Sequence, residues 1–364
     1  METTRLSIYR LLAYGGLGLP LAALGLPLVV YLPPFYAGLG LGTATVGAML
    51  FIARLSDVFS DLLIGWASDY SHTRLGRRRP WILVGVPVLL VGTGFLFHAQ
   101  AGVGASYLLL WSVVAYLGWT LIYLPYSSWG AELVTDYDER TRVTLCREGF
   151  LVAGTLVAIL LSGWVQARGG DAGDALSAVY GFLLVSLPLA LFLLWRGVPE
   201  PAGLQVAPLD WRAGLRLLRD NRPFRRLLIA YLLNGMANGL PATLFLFFVA
   251  EVLQAERLSG LFLVVYFLSA VLALPLWLRL SRGRAKHRVW CVSMLWACGI
   301  FVWAPLLGPG DLWAYAAICV LSGVCLGVDT AVPASMQADV VDEDTAAGGG
   351  YRAGLYFGLW GMAT

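Results

Sequence analysis

Three charged residues lie within an apolar stretch that is long enough to cross a bilayer. Arg54, Asp57 and Asp61 belong to a run that begins near Ala44 and returns to polar sequence at Asp69. Because an α-helix turns by about 100° per residue, the three side chains fall within an arc of about 60°. An isolated charge in hydrocarbon costs about 3 kcal/mol or more, so these charges must pair and face a cavity. The stripe indicates a coupling-ion site or, alternatively, an inert buried ion pair with one spare acid.

The composition is that of a polytopic membrane protein. Of the 364 residues, 59% are hydrophobic and 13% are charged, and the mean hydropathy is +0.74. Soluble domains contain about 25% charged residues. The first apolar run, 9–32, is too long for the apolar core of a signal peptide and lacks a cleavage pattern.

The cysteines and histidines do not suggest an enzyme. The five cysteines lie in or beside apolar runs without metal-ligand spacing, so we expect free thiols. The three histidines are scattered at the ends of segments. We therefore expect no structural metal, no cofactor, no catalysis and no nucleic-acid partner.

Apolar runs of about 20 residues predict ten complete membrane-spanning helices, because a helix of that length crosses about 30 Å of hydrocarbon. An eleventh run begins near Tyr351 and stops at the chain end. Since a helix cut in mid-membrane cannot satisfy its last carbonyl groups, we expect the sequence to be truncated within helix eleven. The predicted spans are 8–33, 43–67, 80–99, 106–131, 143–165, 177–196, 226–250, 258–280, 288–307 and 312–336.

Basic residues predict the orientation of these spans. With a cytoplasmic N-terminus, 22 of the 25 arginines and lysines fall on the inner side. Only Arg168 and Arg257 fall outside, and Arg54 lies within the membrane. This positive-inside bias predicts a multi-pass protein of a bacterial-type inner membrane.

The two halves of the chain carry related segments. LPYSSWGAELVTDYDERTRVTLCREG (124–149) is echoed by VPASMQADVVDEDTAAGGGYRAG (332–354). Both copies follow an even-numbered span, which predicts a parallel repeat of six spans. The expected parts are an N-terminal half at 1–197, a cytoplasmic linker at 198–225 and a C-terminal half at 226–364.

The second span and its following loop resemble a known family, the glycoside–pentoside–hexuronide:cation symporters, which include the melibiose carrier. The resemblance extends over most of the chain and implies an all-α major facilitator fold. It also implies a secondary transporter that moves a sugar or glycoside with Na⁺ or H⁺ by alternating access. The matching residues are Arg54, Asp57, Asp61, Gly65, Asp69, the Gly-Arg-Arg-Arg-Pro loop at 76–80, Ala338 to Asp342 and Arg352.

The resemblance places the cation site on Asp57, Ser60 and Asp61, with Thr120 from helix four and Arg54 as counter-charge. Two carboxylates and two hydroxyls would suit a small hard cation, which prefers oxygen ligands. Alternatively, two close carboxylates do not both ionise easily and can share a proton. The hydroxyls favour a metal ion, although that of Ser60 could equally bond back to its own helix. Na⁺ and H⁺ both remain open.

The acids that melibiose-type carriers use for sugar are absent, since Leu21 and Tyr123 stand near their places in helices one and four. We therefore expect an aromatic cavity, because aromatic rings stack on sugars and on other apolar ring systems. Helix packing or the aromatic belt at the membrane interface would also explain each aromatic side chain, and a gate or a packing hydrogen bond would explain the charged ones. The candidates are Trp119, Tyr123, Tyr126, Trp129, Arg147 and Asp329.

The arginine loop is interpreted as a conformational latch that forms salt bridges and binds helix N-termini or anionic lipid between the halves. Its members are Asp69, Arg74, Arg77, Arg78 and Arg79. The expected partners are a small-molecule solute and membrane lipids, with the protein acting as a monomer. Two alternatives stay open: transport of an amphipathic lipid such as a lysophospholipid, and a membrane sensor without transport.

Overall fold

The computed structural model describes residues 6–71, 73–134, 136–200, 221–255, 258–281, 283–346 and 353–361. These residues form long helices without a β-strand, which confirms the all-α prediction. The first span, α1, is interrupted by a π-helical turn at Pro27–Tyr31. The spans are α1 (Ile8–Gly38), α2 (Thr43–Tyr70), α3 (Arg79–Phe97), α4 (Ala105–Glu132), α5 (Tyr137–Ala167), α6 (Ala172–Gly197), α7 (Arg222–Phe247), α8 (Ser259–Ser281), α9 (Lys286–Phe301), α10 (Leu312–Asp344) and α11 (Ala353–Gly361).

Among the described residues, eight helices are long and apolar enough to cross a membrane. The two other predicted complete spans, α2 and α7, have 28 and 26 residues and pack in the same bundle. The charged stripe lies near the middle of α2. The helix that carries the charged stripe and the helices that face it therefore belong to one bundle.

Two helices extend beyond the apolar runs that predict them. Helix α5 begins six residues earlier than its predicted span, at Tyr137, because Asp136 caps it by accepting from two backbone N–H groups. Helix α10 continues to Asp344, where the sequence is acidic. Hydropathy marks only the part of a helix that suits lipid, whereas caps and ion pairs decide where the helix ends.

The first half has a core of its own. One buried cluster draws its residues from α1 to α6, and a smaller one lies within the second half. A third cluster joins parts of α2 and α4 to α7 through α11. The division at 197 and 226 stays a prediction, and the linker residues 201–220 and Arg352 lie outside the described residues.

Helices α2 and α11 cross in direct backbone contact. A Cβ atom on Gly65 would lie 2.4 Å from the carbonyl oxygen of Gly354, so no side chain fits there. One further contact lies at Gly361, where a Cβ atom would lie 2.5 Å from Asp61 Oδ2. The crossing therefore fixes the charged face of α2 against the second half.

Candidate functional site

The two aspartates of the stripe share one hydroxyl group. Thr120 Oγ1, on α4, lies 2.8 Å from Asp57 Oδ1 and 2.9 Å from Asp61 Oδ1. A hydroxyl has a single hydrogen and cannot donate to both carboxylates at once. At any moment only one of the two carboxylates receives this hydrogen bond, so a proton or a metal ion would stabilise the pair.

Arg54 and Ser60 complete this first-half site. Arg54 Nη1 lies 3.3 Å from Asp57 Oδ2, and its side chain is 61% exposed against 12% for Asp57. The Ser60 hydroxyl donates to the Asp57 carbonyl at 2.9 Å and lies 3.4 Å from Asp57 Oδ1. Arg54 thus offsets one acid, whereas Ser60 is bonded chiefly to its own helix.

The donor atoms of the first-half site are all oxygens, which suit a hard ion or a proton. Within the described ranges, no group of three or more His, Cys, Asp or Glu side chains is placed to hold a metal ion. The two acids and the hydroxyl thus present oxygen atoms alone.

The four aromatic candidates separate into two pairs. Trp119 and Tyr123 are half-buried and stack with their ring centroids 6.0 Å apart. Tyr126 and Trp129 are fully buried. The Tyr126 hydroxyl donates to a backbone carbonyl of α1 at 2.8 Å, and Trp129 Nε1 donates to the Pro199 carbonyl at 3.2 Å. The second pair lies in packing contacts, and only the first has exposed surface.

Arg147 is paired with its neighbour in the chain. Its Nη2 atom lies 2.7 Å from Glu148 Oε1, and both side chains are buried on α5. The two charges offset each other, so Arg147 is not an isolated cation. The expected role of Arg147, in a gate or in the wall of the cavity, stays a prediction.

Asp329 lies near the middle of α10 and accepts hydrogen bonds from three side chains. Asn234 Nδ2 lies 3.0 and 2.9 Å from its two carboxylate oxygens, and Asn238 Nδ2 lies 2.7 Å from Oδ2. Trp290 Nε1 donates to Oδ1 at 2.8 Å. Sequence analysis found Asp329 and missed its donors. The Asn-x-x-x-Asn spacing on α7, which puts both amides on one helix face, is the signal that could have found two of them.

The arginine loop, which is predicted to be a conformational latch, lies between α2 and α3. Arg78 Nη2 lies 2.6 Å from Asp69 Oδ1, and Arg78 Nε donates to Glu132 at 3.0 Å. Asp69 also accepts from the backbone N–H groups of Gly354 and Leu355 at 2.9 and 3.1 Å. Burial tends to lower the pKa of the Arg78 guanidinium, but the two carboxylates outweigh this effect and raise the pKa above its usual value. The arginine loop of the first half is thus joined to α11 of the second half.

Glu200, which sequence analysis missed, orders the same loop. Its Oε1 atom accepts from the backbone N–H groups of Arg77 and Arg78 at 2.5 and 2.6 Å. Its Oε2 atom lies 3.4 Å from Arg79 Nε. Arg74 is exposed and forms no ion pair with another described residue. Four of the five predicted latch residues therefore meet, and Arg74 lies apart.

A second polar contact between the halves was also missed. Arg140 Nη1, on α5, lies 2.9 Å from Asp339 Oδ1 on α10, and Arg140 also pairs with Asp342. Lys286 Nζ lies 2.6 Å from Asp339 Oδ2. This contact and the α2–α11 contact lie at the same end of the molecule, so the halves are closed there.

Comparisons with known proteins agree with this architecture. A family model described as MFS/sugar transport protein matches residues 13–364. The sodium-dependent lysophosphatidylcholine symporter 1 of Mus musculus is 24% identical over 334 residues, which cover 81% of this chain and 62% of the mouse protein. The glucuronide carrier protein homolog of Escherichia coli is 24% identical over 335 residues, which cover 88% and 72% of the two chains. The chain thus spans less than two thirds of the length of the mouse relative.

Solved structures share the fold. The E. coli fucose:proton symporter superposes with a TM-score of 0.64 at 12% identity, over 98% of this chain and 97% of that one. The human organic anion transporter gives a TM-score of 0.68 at 15% identity, over 98% and 90%. With the family model matching nearly the whole sequence and these folds superposing, the chain belongs to the MFS/sugar transport protein family.

Proposed function

We propose that the protein is a secondary active transporter that couples the movement of a sugar or glycoside to Na⁺ or H⁺ by alternating access. The observation that carries the proposal is the Thr120 hydroxyl shared by Asp57 and Asp61. Two acids with one arginine have a net charge of −1 when both are ionised, and one bound cation makes the group neutral. A neutral group costs less than a charged one in surroundings of low dielectric constant, so the cavity can change more easily between its two shapes.

Solute binding completes the cycle in this proposal. The cation alone neutralises the stripe but does not let the halves rock, whereas cation and solute together do. The closed end must then open, which breaks the Asp69 contact with α11 and the Arg140 pair with Asp339. The latch thus acts on conformation and does not touch the solute.

A second candidate solute is an amphipathic lipid such as a lysophospholipid. Several relatives have names that contain lysophosphatidylcholine, among them the mouse symporter. The stacked pair of Trp119 and Tyr123 offers an apolar surface without a charge, which suits an acyl chain as well as a sugar ring. A sensor without transport is supported by no such observation.

The chain is a multi-pass membrane protein, and we place its N-terminus in the cytoplasm. The positive-inside distribution supports this orientation, with the arginine loop and the closed end on the cytoplasmic side. A bacterial-type inner membrane and a monomeric transport unit complete the proposal. Its partners are the solute and the surrounding lipids.

Solute uptake by vesicles that contain the full-length protein tests the proposal. A panel of sugars, glycosides and lysophosphatidylcholine is offered with a Na⁺ gradient or a pH gradient imposed separately. Asp57→Asn and Asp61→Asn should each abolish gradient-driven accumulation, while Asp311→Asn, in an exposed turn, should leave it unchanged. Continued accumulation by both stripe variants would overturn the ion site.

A further inference from the structure

Asp329 carries a negative charge that no basic group among the described residues offsets. Within the part of the chain that the structure describes, no arginine, lysine or histidine pairs with it, and its hydrogen-bond donors are all neutral. A carboxylate has about four lone-pair sites. Two donors reach each oxygen, so the hydrogen-bonding capacity is filled while the charge remains.

The cluster is accessible at Asn238. Helix α7 has a strongly exposed stripe that includes Ile229, Leu233 and Met236. Asn238 follows Met236 by two residues, which places it about 200° around the helix, on the opposite side. It lies against α10, where it donates to Asp329, and is nevertheless exposed. This part of α7 is exposed on more than one side, so a ligand or a reagent can reach Asn238.

The chemistry of the cluster selects the sign of its ligand. Because the amide nitrogens of Asn234 and Asn238 are used on Asp329, their Oδ1 atoms are left as acceptors. The cluster therefore offers acceptors and an uncompensated negative charge. A carboxylate or phosphate is repelled, whereas an ammonium group supplies both a donor and the missing positive charge.

We propose that Asp329, Asn234 and Asn238 form a solute subsite for a positively charged ammonium group, as in an amino sugar or a zwitterionic lipid headgroup. This inference rests on the proposed transport function. It places ion coupling in the first half and recognition of the solute's positive group in the second. Trp290 is a positioning residue that orients the carboxylate.

Thiol labelling of the full-length Asn238→Cys protein tests the subsite without the need for transport. The probes are methanethiosulfonates with a cationic trimethylammonioethyl, a neutral methyl or an anionic sulfonatoethyl group, and mass spectrometry reports labelling at position 238. Each labelling rate is divided by the rate of the neutral reagent. The ratio of the cationic to the anionic rate should then fall by about tenfold when Asp329→Asn is added, because a unit charge several ångströms away is removed. Gln100→Cys, in an exposed loop, serves as control and should show no change.

An unchanged ratio at position 238, or no labelling there by any reagent, would overturn the subsite. Should the Asp329→Asn protein fail to fold, the ratios at positions 238 and 100 are compared in the protein that retains Asp329. Equal ratios then refute the subsite. Loss of accumulation in Asp57→Asn alongside a failed labelling test would leave the proposed transport function in place.

Protection of position 238 from the neutral reagent identifies the source of the ammonium group. Protection by glucosamine alone indicates an amino sugar, and protection by lysophosphatidylcholine alone indicates a lipid headgroup. Protection by glucuronate, which is anionic, would contradict the proposal, as would protection by none of the three compounds.

Discussion

The first-half and second-half acid sites bury carboxylates in different ways. Asp57 and Asp61 compete for one hydroxyl and have one arginine between them. Asp329 has every lone pair occupied by an amide or indole N–H, and none of the basic side chains that the structure describes pairs with it. The first arrangement is short of one hydrogen-bond donor and of one positive charge. The second has all its hydrogen bonds and is short only of a positive charge.

This difference suggests a division of labour. A site that is incomplete without a small cation changes its energy when the ion enters or leaves, which is what coupling needs. A site whose carboxylate is held by neutral donors keeps its shape and attracts a positive group from the solute. Substitutions at matched positions in the two halves can separate these roles.

The largest effect is expected from removal of the shared hydroxyl. Thr120→Val removes an oxygen that would ligate a bound Na⁺, and it also removes a hydrogen bond that stabilises the ionised acids. The apparent affinity for Na⁺ should therefore fall by about tenfold, which is about 1.4 kcal/mol, whereas the affinity for H⁺ should not fall. The measurement is thermal unfolding of the purified protein titrated with NaCl against choline chloride, and titrated with pH in the absence of Na⁺.

Thr330→Val is the matched control for the hydroxyl, because Thr330 bonds back to its own helix at 3.2 Å from the Leu326 carbonyl. It should leave both titrations unchanged. If the Thr120 and Thr330 variants behave alike, the two halves do not differ in ion binding.

A smaller effect is expected from loss of the counter-charge. Arg54→Gln makes the first-half site more negative, so it should bind the coupling ion more tightly. Because the Arg54 side chain is 61% exposed, the attraction is screened and the gain should be about fivefold or less. The same salt titration reports it. Arg168→Gln, whose guanidinium lies over the Trp164 ring, is the control. Weaker binding after Arg54→Gln would mean that Arg54 helps to hold the acids in place.

The second-half site should respond in solute affinity alone. Trp290→Phe removes one donor from Asp329 and should raise the KM for the solute found in the uptake screen by about threefold, the worth of one modest hydrogen bond. The ion titration should not change. Trp296→Phe, on the exposed side of α9, is the control, since the Trp296 Nε1 atom donates to the Leu321 carbonyl of α10. A shift in ion affinity after Trp290→Phe would show that the two acid sites do not have separate roles.

The sequence is informative about the first-half site because its signal is local. An acid in an apolar run is costly wherever the chain folds, so Asp57, Asp61 and Asp329 are visible from hydropathy and helical period alone. The partners of Asp329 are not visible in this way. Asn234 and Trp290 are ordinary residues in their own segments, and they lie 95 and 39 residues from Asp329 in the chain.

The aromatic candidates show the same limit in another form. An aromatic residue near the middle of a helix fits a cavity wall and a packed interface equally well, and the rotation of the helix decides between them. Tyr126 and Trp129 turn toward α1 and the segment after α6, while Trp119 and Tyr123 keep some exposure. Only the packing of distant segments supplies that rotation.

The smallest effect is expected at Ser60, and it sharpens the definition of the first-half site. Its hydroxyl donates to the Asp57 carbonyl at 2.9 Å, a bond within the same helix. Ser60→Ala should therefore change the apparent ion affinity by less than about twofold, as for a hydroxyl that only bonds back to its helix. Ser56→Ala is the control, because Ser56 makes the same kind of bond to Ala53 at 2.7 Å. A tenfold loss for Ser60→Ala alone would show that the hydroxyl turns to the bound ion, which is the behaviour of a Na⁺ ligand and not of a proton site.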